Sequence, residues 1–155
     1  MKIEIKRATA KDLSILQTFN KKLFDLEIDK HDPMLNENWT YSKVGENYFK
    51  NAINNDFVAI AFADNKPVGY LAGCEKQLSY WKLKLGELDN MWVEQEYRKH
   101  GIGKMLFNDF KAWLKTKGIS NIRVTASWEN KSAIEFYHKI GFYDFDLTLH
   151  CETNP

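Results

Sequence analysis

The 155-residue chain is short of several things, and each shortage removes a class of protein. It has only two cysteines, Cys74 and Cys151, far apart, with no Cys-x-x-Cys pair and no Cys/His cluster. That argues against a zinc site and a redox dithiol, and both thiols are expected to be reduced and packed. Its four histidines, at positions 31, 100, 138 and 150, show no ligand spacing, so no metal is expected. No apolar run approaches the ~18 residues of a membrane span. The first residues, MKIEIKRATAKD, lack the apolar core of a secretory leader, so the expected compartment is the cytoplasm. Neither sign of charge dominates: 22 Lys and Arg stand against 21 Asp and Glu, for a formal net charge of +1. With no basic stripe, nucleic acid and anionic membrane are not expected partners. There is no repeat, low-complexity tract or linker, so 1–155 reads as one domain.

What is present is a globular composition, 44% hydrophobic and 14% aromatic, enough to build a core. Residues 2–8 alternate as a strand. Thr9 and Asp12 are helix-start residues, and Leu13, Leu16, Phe19 or Asn20, Leu23 and Phe24 follow at helical spacing. Residues 29–44 read as a loop and 45–54 as a short helix. The apolar run 57–62, the turn at 64–67 and the stretch 67–77 make a hairpin, and 83–94 a further strand. A helix is expected over 101–117, ended by Gly118, then a strand over 121–127 and a helix over 131–139. A last strand is expected over 142–151. The order predicts an α/β (α+β) fold with helices on both faces of a mixed sheet.

Two segments carry chemistry. In the first, a strand ends at Val93 and a helix begins near Gly101, with Arg98, Lys99 and Lys104 around the join. Free N–H groups at a helix start attract anions, glycines let a ligand approach the backbone, and nearby cations add to both. The pattern suits a pyrophosphate, although glycines after a strand also serve as plain turns. The third glycine of a dinucleotide-binding fingerprint and the Lys-Ser pair of a P-loop are both missing. In the second segment, Asn130 is an N-cap candidate, and Ala133 and Tyr137 share its helix face. A ligand could lie along that face. Tyr137 could equally be a packing residue.

Together these segments resemble the GNAT superfamily of N-acetyltransferases. Arg98-Lys99-His100-Gly101-Ile102-Gly103 is similar to the family's cofactor loop, Arg/Gln-x-x-Gly-x-Gly/Ala. Asn130, Ala133, Phe136, Tyr137, Gly141 and Phe142 are similar to its later segment. The resemblance implies a mostly antiparallel sheet of about six to seven strands flanked by about four helices. It implies acetyl-CoA as cosubstrate, a primary amine as acceptor and, often, a homodimer. The backbone of Met91 and Val93 would then hold the pantetheine arm. The loop Arg98, Lys99, His100, Gly101, Ile102, Gly103, Lys104 would wrap the pyrophosphate, and Asn130 would touch the cofactor further along. Tyr137 would protonate the leaving thiolate. Glu87 stands six residues before Val93, where some members carry the general base, and Asp89 is the alternative on the same strand face. A run of acidic residues, Asp25, Glu27, Asp29 and Asp32, with Trp39 and Tyr41 after it, suits a cationic acceptor. The competing reading is a non-catalytic acetyl-CoA-binding regulatory module.

Overall fold

The unbroken apolar run at Phe57–Ala63 sets the layering of the molecule. In the computed structural model, which describes residues 1–154, this run is a central strand, β2. Phe57, Ala59, Ala61 and Ala63 enter one hydrophobic cluster, while Val58 and Ile60 enter another. Alternation with both sides apolar demands a cover on each face. The sheet runs in the order β1 (Ile3–Arg7), β2, β3 (Lys66–Lys76), β4 (Leu85–Val93), β5 (Ile122–Val124). Neighbours from β1 to β4 are antiparallel, and β5 joins β4 in parallel.

Helices α1 (Leu13–Lys30) and α2 (Lys43–Asn55) cover one face through Leu16, Phe19, Phe49 and Ala52. Helix α3 (Ile102–Thr116) covers the other through Ile102, Leu106, Phe110 and Leu114. In α4 (Lys131–Lys139), Tyr137 packs against the same cluster without being fully enclosed. Local signals explain the ends. Ser42 Oγ accepts from Gly45 N at the start of α2, and Asn130 Oδ1 from Ala133 N at the start of α4. Each cap satisfies a donor the helix cannot, worth about 1 kcal/mol. Asp64 and Asn65, both at positive φ, form the two-residue turn between β2 and β3.

Two features of β4 position the site. Gly73 pairs with Leu88 and Ala72 with Asn90, so Asp89 is the extra residue of a β-bulge. Pairing with β5 runs only from Gly86 to Leu88, although β4 continues to Val93. The bulge and the parting of the two strands therefore begin at the same residue.

The expected sheet of about six to seven strands is corrected to five among the described residues. The strand expected over 142–151 does not form. The segment has the alternation of a half-buried strand, yet Tyr143, Phe145, Leu147 and Leu149 are all exposed. Phe145 leans on Trp81, and Asp144 meets His138 Nε2 at 2.7 Å. A strand is defined by hydrogen bonds to a neighbour, and alternation does not supply the neighbour. Both cysteines are free; Cys74 is half-buried, and Cys151, expected to pack, is exposed. No described helix is long and apolar enough to cross a membrane.

Candidate active site

The join between β4 and α3 bends through two left-handed residues. Lys99 has φ 66° and Gly101 φ 78°. Gly101 is there for its backbone: a Cβ would meet nothing within 4 Å, but an L side chain is strained at that φ. Gly103 has another reason. A Cβ there would come 3.0 Å from the Phe136 ring, so its smallness lets α3 and α4 approach. The helix's backbone bonding begins with Met105 N donating to Gly101 O at 3.0 Å. The N–H groups of Ile102, Gly103 and Lys104 thus lie in the unpaired first turn, and the αL residues before them turn the backbone into a concave nest. Ile102 turns its side chain into the core, leaving only its backbone to the nest.

The cations of the loop divide their work. Arg98 Nε donates to Val93 O at 2.9 Å, and its guanidinium lies 4.8 Å over the Trp92 ring. Arg98 therefore ties the loop back to β4. Lys99 and Lys104 are exposed, and His100 Nδ1 sits 3.2 Å from Tyr97 O. Asn130 is fully committed: Oδ1 accepts from Ala133 N and from Ser132 Oγ, and Nδ2 donates to Glu27 Oε1 at 2.7 Å, which links α4 to α1. Beyond Leu88, among the described residues, no strand pairs with β4 on the side where β5 lay. Met91 and Val93 lie on this free-edged stretch.

Glu87 and Asp89 have different surroundings. Glu87 Oε2 accepts from Arg123 Nε at 3.0 Å and Nη2 at 2.5 Å, and Oε1 from Lys76 Nζ at 3.2 Å. Both oxygens are engaged, and the pair bolts β4 to β5. Asp89 has one firm partner, the Tyr48 hydroxyl, which donates to Oδ2 at 2.9 Å; Cys74 Sγ lies 4.0 Å from Oδ1. Its surface is open, yet enough protein crowds the carboxyl for desolvation to raise its pKa. The Tyr48 donation opposes that rise, and the negative charges of Glu87 and Asp56 add to it.

Tyr137 is held by aromatic contacts with Phe136 and Phe142, at 5.4 Å in each case. Burial first, then the charge of Glu27, pushes its phenol above the ordinary range, so it is a proton donor at neutral pH. The acidic run at the end of α1 and just after it is largely spoken for. Asp25 pairs with Lys21, Asp29 with Lys30 at 3.2 Å, Asp32 accepts from Met34 N at 3.0 Å, and Glu27 holds Asn130. Tyr41 is exposed, whereas Trp39 stacks on Phe24 at 5.4 Å and meets Tyr48 at 5.5 Å. This row of rings ends at Asp89. Tyr48 and Asn90 carried no signal in the sequence, and Asn20 entered it only as the alternative to Phe19 in a helical spacing. Among the described residues, no group of three or more His, Cys, Asp and Glu is placed to hold a metal ion.

These features define an α/β protein whose mixed sheet splits where β4 and β5 part after Leu88. The chain belongs to the acetyltransferase (GNAT) family, whose model matches residues 20–142. A curated relative, the uncharacterized N-acetyltransferase MJ1207 of Methanocaldococcus jannaschii, is 32% identical over 85 residues, covering 54% of this chain and 38% of that protein. The chain thus spans under two fifths of that relative's length. Among solved structures, a predicted acetyltransferase from Clostridium acetobutylicum with acetyl-CoA aligns with TM-score 0.79 at 24% identity, over 97% of this chain and 96% of that one. The aminoglycoside N-acetyltransferase AAC(6')-Iy with CoA aligns with TM-score 0.77 at 16% identity, over 99% and 96%. At these identities the likeness is one of fold.

Proposed function

We propose that the chain transfers an acetyl group from acetyl-CoA to a primary amine by direct attack. The observation that carries this reading is a coincidence at Asp89, where β4 loses its β5 partner and where a carboxyl of raised pKa stands. The residues present fit acetyl-CoA. The nest at Lys99 to Lys104 suits a pyrophosphate, with Lys99, His100 and Lys104 beside it and Arg98 shaping the loop. The free edge of β4 at Met91 and Val93 suits an amide-rich pantetheine arm, and Asn130 fixes the start of α4 alongside.

When bound, the cosubstrate supplies an acetyl thioester. An alkylammonium of pKa ~10 must lose a proton before its nitrogen can attack. Asp89 takes that proton, because its Oδ1 meets only the weak donor Cys74 Sγ at 4.0 Å, whereas both oxygens of Glu87 serve an ion-pair network. The Tyr137 phenol donates to the departing sulfur. Backbone N–H groups on the free edge of β4 receive the charge that builds on the acyl oxygen. The ring row Phe24, Trp39 and Tyr48 leading to Asp89 suits a cationic amine. The exposed Tyr143, Phe145, Leu147 and Leu149 support association with a second copy of the chain.

Thiol release from acetyl-CoA across a panel of amines tests the reading. Amine-dependent release, slowed by about 100-fold or more in Asp89→Asn, is expected. Tight acetyl-CoA binding with no release for any amine would replace the enzyme by a non-catalytic binding module.

A further inference from the structure

Behind Asp89 lies a line of polar side chains on the buried α1 and α2 face of the sheet, where an unpaired polar group is costly. Thr40 Oγ1 donates to Asn20 Oδ1 at 2.6 Å. Asn20 Nδ2 donates to Asn90 Oδ1 at 3.3 Å and to the Tyr70 hydroxyl at 3.1 Å. Asn90 Nδ2 donates to the Tyr48 hydroxyl at 2.9 Å, and Tyr48 donates to Asp89 Oδ2. Asn20, Thr40 and Tyr70 are wholly enclosed. The donors from Thr40 through Asn20, Asn90 and Tyr48 run in one direction, and that direction ends on the carboxylate.

A core needing only to be filled would use apolar side chains here. The amides also block proton traffic inward: neither Asn20 nor Asn90 can pass a proton on. A proton taken by Asp89 must therefore leave by its solvent-facing side. What the line does is hold and polarise. Each donor orients the next, and the last one favours the charged form of the carboxylate over the neutral one.

We infer that Tyr48 is a positioning residue for the reaction, aligned by Asn90 and Asn20, which holds Asp89 by Oδ2 and keeps Oδ1 turned to the acceptor amine. The inference rests on the reading of Asp89 as the base. The bulge makes the arrangement possible: the extra residue brings Asp89 and Asn90, neighbours in sequence, both within reach of the Tyr48 hydroxyl.

The charged and titratable groups facing Asp89 are few. They are Tyr48 on α2, Asp56 just after α2, Tyr70, Cys74 and Lys76 on β3, and Glu87 on β4. Of these, Tyr48 and Lys76 favour the carboxylate, while Glu87 and Asp56 disfavour it. Removing the Tyr48 donor leaves desolvation and like charge less opposed.

The test is the pH profile of kcat with acetyl-CoA and one amine both saturating, for the parent, Tyr48→Phe, Asn90→Ala and Asp89→Asn. Tyr48→Phe should move the acid limb of kcat upward by ~0.5–1 unit, a loss of up to ~10-fold below the limb that is recovered at high pH. Asn90→Ala should move it the same way by less, and it keeps the test alive should Tyr48→Phe fail to fold. KM for acetyl-CoA should stay unchanged in both. A lower melting temperature with the acid limb unmoved would make the line merely structural and overturn the inference. Full activity in Asp89→Asn would overturn the base assignment and this inference with it. Loss of activity in Asp89→Asn, with unshifted limbs in the other two, overturns the inference alone.

Discussion

The Tyr48 hydroxyl, on the second helix, donates a 2.9 Å hydrogen bond to Asp89 Oδ2 on the bulge of β4, although the residues are 41 apart in sequence. Glu87, two positions before Asp89 and near it in space, faces Arg123 and Lys76 instead. The same strand therefore presents one carboxylate held in an ion-pair network and one exposed to solvent.

Exchanging these two carboxylates for amides should separate their roles. Asp89→Asn should lower kcat by about 100-fold or more, the usual effect of losing a general base. Glu87→Gln should leave kcat within a few-fold of the parent but lower the melting temperature, since Arg123 and Lys76 lose their shared partner, a loss of about 1–3 kcal/mol. Steady-state rates and thermal denaturation of both variants decide it; the reverse pattern would return the base to Glu87.

At Gly101 the expectation turns on φ. Gly101→Asn should retain acetyl-CoA binding, because Asn tolerates the left-handed region at 78°. Gly101→Glu should lose most of the melting-temperature rise that acetyl-CoA produces in the parent, because it sets strain and negative charge beside the nest. Equal ligand-induced shifts in both variants would remove the phosphate from this loop.

Tyr137→Phe should keep the fold and the affinity for acetyl-CoA, since its ring contacts with Phe136 and Phe142 survive. kcat should fall by ~10–100-fold. Unchanged turnover with a good acceptor would make Tyr137 a packing residue.

Stability should carry the signature of Asp89 as pH changes. Its carboxyl titrates above the ordinary 3.8, chiefly through burial. Between that value and the raised one, the folded chain binds more protons than the unfolded chain. The contribution is complete below the ordinary pKa and is lost as pH rises through the raised one. The melting-temperature difference, parent minus Asp89→Asn, should therefore fall as pH rises from the ordinary carboxylate value through the raised one. A difference that grows with pH would mean the carboxyl is depressed.

The segment after α4 gives a prediction about assembly. Leu147 is 67% exposed and Leu149 82%, and they continue the alternation of the exposed Tyr143 and Phe145 along the same segment. The parent should elute as a dimer in size-exclusion chromatography with light scattering, and Leu147→Asp with Leu149→Asp as a monomer. A monomeric parent at high micromolar concentration would end this expectation.

The sequence by itself determined what is encoded within a turn or two of chain. Helix α4 spans Lys131–Lys139 as its spacing and the Asn130 cap require, and the Asp64–Asn65 turn closes the hairpin. The glycine loop after β4 and the paired motifs around Gly101 and Tyr137 were legible too, and they carry the family. These signals are local because caps, left-handed turns and periodicity act between near neighbours.

Only the tertiary structure decided the rest. Whether Glu87 or Asp89 was free depended on Arg123, 36 residues away from Glu87, and on Tyr48. Asn20 reaches Asn90 across 70 residues. The strand pattern of 142–151 met no partner edge, so alternation alone left it unpaired. Register, bulges and ion pairs are settled by which distant groups meet, and period-two alternation is the same whichever neighbour a strand finds.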